Sequence, residues 1–147
     1  MDKLPKNIRN PFTALGFDYG TLRIGVAVGQ SLTGTASPVD IVPAADGIPD
    51  WDHVKNLVEQ WQPDIFIVGL PYNMDDSESE LLVRARKFAL RLHGRFHRPW
   101  YGMDERLSSF AAREVLSARK SSKDRPLDSV AAQLILESWF RQQTPHQ

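Results

Sequence analysis

The stretch GFDYGTLRIGVAVGQ, residues 16–30, constrains the fold more than any other. Two apolar runs, FTALGFDYG and LRIGVAVGQ, meet at a tight Gly-containing turn and read as a β-hairpin. The first run carries a carboxylate, Asp18, among Leu15, Phe17, Ile24 and Val26. A buried carboxylate costs several kcal/mol unless something pairs with it. Asp18 therefore has a local partner or holds a ligand, and its apolar neighbours favour a functional role.

The pattern then changes. ASPVDIV reads as a third, shorter strand and PAADGIPD as a loop. In WDHVKNLVEQWQ, residues Trp51, Val54, Leu57, Val58 and Trp61 recur at helical spacing, and Pro63 ends the helix before a buried strand, DIFIVGL. PYNMDDSESE is rich in turn formers. Ser77 and Glu80 have capping-box spacing and predict the start of a second helix, with Gly94 closing it. RPWYGMDE reads as a strand, and Ser108 or Ser109 as the cap of a helix through Leu116. A basic loop, RKSSKDRP, precedes a last helix from near Asp128 to about Gln142. Hairpin strands followed by alternating strands and helices imply an α/β fold, a mixed sheet flanked by helices. Residues 1–11 read as a flexible tail, 12–142 as one domain and 143–147 as a C-terminal tail.

Composition narrows the classes. The chain has 147 residues, 41% of them hydrophobic, enough for one domain with a real core. No run approaches a membrane span, and the N-terminus lacks a secretory apolar segment. There is no cysteine, which excludes disulfides and Cys-type zinc sites. A cytoplasmic location and no membrane partner are expected. The formal net charge is zero, but it is unevenly placed. From Arg84 to Arg125 there are twelve Lys or Arg against four acids, a net of +8; the remainder carries −8. Such a segment suits a polyanion, although solvated helix faces would explain it as well.

The remaining acids of interest fall where elements meet one edge of the sheet. Asp104 and Glu105 end the strand RPWYGM, and Asp128 starts the last helix, where Ala131 and Ala132 would allow close approach to the sheet. Asp and Glu gathered from distant segments suit a hard cation such as Mg²⁺ or Mn²⁺, and two such ions can serve phosphodiester cleavage. Simpler explanations exist for two of them. Asp128 fits a helix N-terminus on dipole grounds alone, and Asp104 could cap a turn.

Taken together, GFDYGTLRIGVAVG, IFIVGLPYNMDD, YGMDERLSS and LDSVAAQLIL resemble the signature segments of the YqgF family. These are Holliday-junction-resolvase-like proteins described as pre-16S rRNA nucleases. The resemblance spans residues 16 to about 140. It implies a ribonuclease-H-like fold with a five-stranded mixed sheet whose first three strands are antiparallel. It also implies that Asp18, Glu105 and Asp128 are the catalytic, metal-binding carboxylates of a nuclease using Mg²⁺ or Mn²⁺, with a two-ion arrangement expected. Between Asp104 and Glu105 it favours Glu105. Two departures stand out. Tyr72 and Asp76 occupy loop positions where the family usually has Leu and Gly, and the segment before Asp128 is less Lys-rich than usual.

Candidate substrate contacts are Arg23 in the hairpin, Asn73 in the loop, Arg106 beside Glu105, and Lys120, Lys123 and Arg125 before Asp128. Each has a plain alternative: Asn73 and Asp75 order a turn, Arg106 pairs with a carboxylate, and the others are solvated. His93 and His97 have a metal-like interval, but Gly94 argues against alignment. Trp100 could stack on a base, and packing explains it better.

The expected function is a metal-dependent nuclease on structured nucleic acid, with 5′-end processing of pre-16S rRNA in ribosome biogenesis favoured over branched DNA. The alternatives are a Holliday-junction resolvase, which needs two active sites, or a non-catalytic nucleic-acid-binding module. A monomer or weak dimer is expected. An actin-type ATPase shares the DxGT pattern of Asp18, Gly20 and Thr21 but needs a second comparable domain. A Walker loop fails because Val26 and Ala27 stand where Lys and Ser or Thr are required.

Overall fold

The computed structural model describes residue 4, residues 8–107 and residues 126–143, the side chains of 126–128 excepted. The strands are β1 (Thr13–Asp18), β2 (Arg23–Gln30), β3 (Thr35–Ala45), β4 (Ile48–Pro49), β5 (Ile65–Leu70) and β6 (Trp100–Asp104). The helices are α1 (Trp51–Trp61), α2 (Glu80–Phe96) and α3 (Pro126–Gln143), with a 3₁₀ turn at Glu105–Leu107. The sheet order is β4-β3-β2-β1-β5-β6. β1, β2 and β3 pair antiparallel, whereas β5 pairs parallel with both β1 and β6. This is the expected mixed α/β sheet with one more strand than the five anticipated.

The sixth strand comes from the stretch expected to be a loop. β3 runs eleven residues and turns back into β4 through Asp46 and Gly47, both at positive φ (48° and 83°). An Asp-Gly pair in left-handed conformation matches the strand twist, and the sequence PAADGIPD carried that signal. The start of α2 also differs. Ser79, not Ser77, caps it, its hydroxyl accepting from the Leu82 N–H at 3.0 Å. The helix continues through Gly94 to Phe96 and stops at His97 in left-handed conformation (φ 58°). Gly94 faces open space, so a helix passes through it at only the usual propensity cost. The helix expected from Ser108 or Ser109 lies outside the described residues.

The sheet's two faces bury separate cores. Leu15, Phe17, Phe66 and Val68 face α1 and α2, packing with Val54, Leu57, Phe88 and Leu92. Ala14, Ala27, Ile65, Ile67 and Met103 face α3, packing with Ala132, Leu136, Trp139 and Phe140. Strand alternation assigns Asp18 and Gly69 to the α3 side, in step with Ala14 and Ile67. At the opposite edge of the sheet the chain before β1 is tied down by Arg9, whose Nε donates to Asp64 Oδ1 at 2.9 Å.

Candidate active site

The α3 face of the central strands is lined by small residues, and this sets the depth of the helix. A Cβ on Gly16 would stand 3.0 Å from Leu136 Cβ and 3.3 Å from the Ala132 carbonyl oxygen. Opposite Ala14 in β2 is Gly29, where a Cβ would meet Phe140 and Leu136. Along β1 from Ala14 to Gly16 the facing helix residues step back from 136 and 140 to 132 and 136, so α3 runs against β1. Two strand residues advance about 6.6 Å and four helix residues about 6 Å. Position 128, in the first turn of α3, thus lies at the level of Asp18. The small residue expected to permit this approach, Ala132, is fully buried there.

Asp18 is the last residue of β1, paired across from Gly25. It is half-buried, not enclosed by the apolar run, because the strand ends at the sheet's edge. The parallel register, which pairs Phe17 with Val68, brings Gly69 beside it one step further on. Glu105 opens the 3₁₀ turn after β6, and Gly69 pairs with Met103 of that strand. A Cβ on Gly69 would lie 2.9 Å from Glu105 Oε1 and 2.6 Å from Ile135 Cδ1. The Glu105 carboxylate therefore occupies the space that a side chain at 69 would fill, next to the strand that ends in Asp18. Gly69 is the residue that sequence reasoning passed over. Its signal was a lone glycine inside the apolar strand IFIVGL, a mark of close approach.

The structure thus gathers Asp18 and Glu105 at one edge, with residue 128 on the helix above. Among the described residues, no three His, Cys, Asp or Glu side chains form a group able to hold a metal ion. Residue 128 is described by its helical position alone. The donors that are described, half-exposed carboxylates at a strand end and a turn, have the oxygen chemistry that hard cations require.

Arg106 and Asp104 belong to a different arrangement. Arg106 Nη2 donates to Asp104 Oδ2 at 2.7 Å and its Nε to Oδ1 at 3.1 Å. Its Nη1 donates to Asp76 Oδ1 at 2.6 Å and to the Asn73 carbonyl at 3.0 Å. Its guanidinium lies 5.1 Å from the Tyr72 ring centroid. Asp104, then Asp76, hold the guanidinium protonated far above its ordinary range. Arg106 clamps the loop after β5 onto the end of β6, one residue from Glu105. Tyr72 and Asp76, the two loop residues that depart from the family pattern, both touch this one side chain. Asp76 takes a positive φ of 69° and its carboxylate pairs with Arg106.

Asn73 and Asp75 order that loop. Asn73 Nδ2 donates to Ser77 Oγ at 2.9 Å, and Asp75 Oδ1 accepts from the Ser77 hydroxyl at 2.5 Å and its N–H at 3.0 Å. These bonds hold the Asp75 carboxyl below the usual carboxylate range. Arg23 is exposed at the start of β2. Lys120, Lys123 and Arg125 lie outside the described residues. His93 and His97 serve the end of α2: His93 Nδ1 bonds the Arg98 carbonyl at 2.9 Å, and the His97 N–H donates to the His93 carbonyl. Trp100 packs against the α1–α2 core.

Fold and site define a class, the ribonuclease-H-type α/β proteins with carboxylates at the end of the central strand. The structure resembles Thermus thermophilus RuvC solved with a Holliday junction substrate, with a TM-score of 0.54 at 14% identity, covering 90% of this chain and 97% of that one. It also resembles the yeast mitochondrial Holliday junction resolvase Ydc2, with a TM-score of 0.50 at 10% identity, covering 87% and 78%. The chain belongs to the RuvX (YqgF) family, described as Holliday junction resolvase, whose model matches residues 12–142. A Saccharophagus degradans relative named "Putative pre-16S rRNA nuclease" is 52% identical over 136 residues, covering 90% of this chain and 96% of its own. An Aeromonas salmonicida relative of the same name is 52% identical over 132 residues, covering 88% and 94%.

Proposed function

We propose that this chain is a divalent-cation-dependent nuclease that cleaves phosphodiester bonds of structured nucleic acid, with 5′-end processing of pre-16S rRNA in the cytoplasm as its task. The observation that carries the reading is the Glu105 carboxylate seated on Gly69 beside the end of β1. The family and the names of the relatives support a phosphodiester-cleaving hydrolase, and the names of the relatives favour rRNA.

In this reading Asp18, Glu105 and Asp128 would hold Mg²⁺ or Mn²⁺, which when bound would supply Lewis-acid activation of water and charge neutralisation at the leaving oxygen. The chain's own part is geometric. A strand end and a 3₁₀ turn position Asp18 and Glu105, and residue 128 belongs to the first turn of α3. Gly69 leaves room for Glu105, and Arg106 holds the neighbouring turn. Arg23, Asn73, Lys120, Lys123 and Arg125 contact the substrate backbone, joined by Arg106 if a phosphate replaces one of its carboxylates.

The test is cleavage of end-labelled precursor 16S rRNA and of a four-way DNA junction, with Mg²⁺, Mn²⁺ or EDTA. Cation-dependent cutting of the rRNA, lost by at least about a hundredfold in Asp18→Asn and Glu105→Gln, is expected. Cutting of the junction alone would instead support the resolvase reading, which the family description favours. Binding without cutting, unchanged in both variants, would make the chain a non-catalytic module.

A further inference from the structure

The basic segment noted in the sequence is not used up by the candidate site. Much of it lies on α2, which packs on the other face of the sheet from α3. The helix begins at Glu80, after the loop near Glu105, and its 17 residues run about 25 Å away from that edge. On its outer side Lys87, Arg91 and Arg95 follow one another at four-residue intervals, all exposed. Like charges at this spacing weaken a helix. Two other arginines of α2 are neutralised, Arg84 by Asp46 at 3.3 Å and Arg86 by Glu78 at 3.0 Å. Among the described residues, no carboxylate pairs with Lys87, Arg91 or Arg95.

This row descends into a cleft of about 440 Å³ between α1 and the end of α2. Its wall holds an aromatic stack. The Trp51 ring lies on Phe88, with centroids 5.8 Å apart and planes at 22°. The Arg95 guanidinium covers Trp51 at 4.2 Å. Arg98 and Lys55 add two further cations, while Asp52 and Glu59 also line the cleft. Glu59 is engaged by Lys55 at 4.0 Å. The cleft therefore offers a flat guanidinium backed by an indole, approached along a line of unpaired cations. That pairing of a backbone-tracking charge row with a stacking platform is what an unpaired nucleotide strand requires.

We propose that the α1–α2 face is a second nucleic-acid site, which takes a single-stranded segment of the substrate. Lys87 and Arg91 contact successive phosphates, and Arg95 stacks on a base while held against Trp51. The site rests on the nucleic-acid reading above and would favour substrates that carry a single-stranded tail beside a folded part. One molecule would hold the tail at α2 and the scissile bond at Asp18.

The test is binding in EDTA, so that cleavage plays no part. Anisotropy titrations at several KCl concentrations would compare an RNA hairpin carrying a tail of about ten uridines with the same hairpin lacking it. The tail is expected to raise wild-type affinity about tenfold. The triple variant K87Q/R91Q/R95Q should lose that gain, and its salt slope should fall by about 1.4, from ~0.7 for each of the two phosphate contacts it removes. Arg95→Gln alone should lose the gain while changing the slope by less than one. If the triple variant binds both RNAs as wild type does, the α2 row is a solvated face and the second site is wrong. If wild type binds neither RNA, the nucleic-acid reading itself fails and this site fails with it.

Discussion

The Glu105 carboxylate rests on Gly69, its Oε1 2.9 Å from where a Cβ at that position would stand. Gly69 also borders Ile135 of α3, so a single backbone position sets both the carboxylate and the helix. Gly69→Ala should cut cleavage by about ten- to a hundredfold while the protein still folds. Replacing Ile135 by Val in the same chain removes the Cδ1 atom that the new methyl meets at 2.6 Å. The double variant should regain melting temperature but not activity, as measured by calorimetry beside a cleavage assay. Recovery of both would show that the helix, not Glu105, was displaced.

Asp76 holds Arg106 from a positive-φ position. Asp76→Gly loses the ion pair but relieves the backbone, whereas Asp76→Ala loses the pair and keeps the strain. The alanine variant should be less stable than the glycine variant by about 1 kcal/mol, read from urea unfolding. Equal stabilities would mean that the loop changes conformation when the carboxylate is removed.

Tyr19 lies on the α1–α2 side, one residue past Asp18, and donates its buried hydroxyl proton to the Gly47 carbonyl at 2.6 Å. Burial pushes the Tyr19 phenol upward, partly offset by Arg84 and Arg91. A phenol raised in the folded state costs nothing below its unfolded value, near pH 10, and destabilises as pH climbs from there through the folded value. Tyr19→Phe should lose about 1 kcal/mol at neutral pH for the missing hydrogen bond. Above pH 10 the gap between variant and wild type should narrow in denaturant titrations, and a gap that widens there would contradict this account.

Leu136 is fully buried and seats α3 against Gly16. Leu136→Ala should cost about 2–5 kcal/mol. Because α3 carries residue 128 to the level of Asp18, cleavage should fall at temperatures well below the melting point of the variant. A variant that is destabilised yet fully active at low temperature would show that the first turn of α3 is placed independently of Leu136.

The sequence by itself determined the α/β class, the hairpin, the order of the described strands and helices apart from β4, and the identity of the carboxylates worth watching. These follow from short-range properties: alternation along FTALGFDYG, helical spacing in WDHVKNLVEQWQ, and charge where none is expected. The sixth strand was legible in Asp46-Gly47, whereas the cap of α2 was not: Ser79 takes that role while Ser77 is bonded to Asn73 and Asp75 in the loop. What tertiary structure alone decided was convergence. Asp18, Gly69 and Glu105 lie far apart in the chain, and the parallel register of β1, β5 and β6 places them side by side. Whether Arg106 met a phosphate or a carboxylate also depended on where the 71–79 loop folded back. Local propensity acts over a few residues, whereas a site of this kind depends on the register between strands and on how closely a helix can approach them.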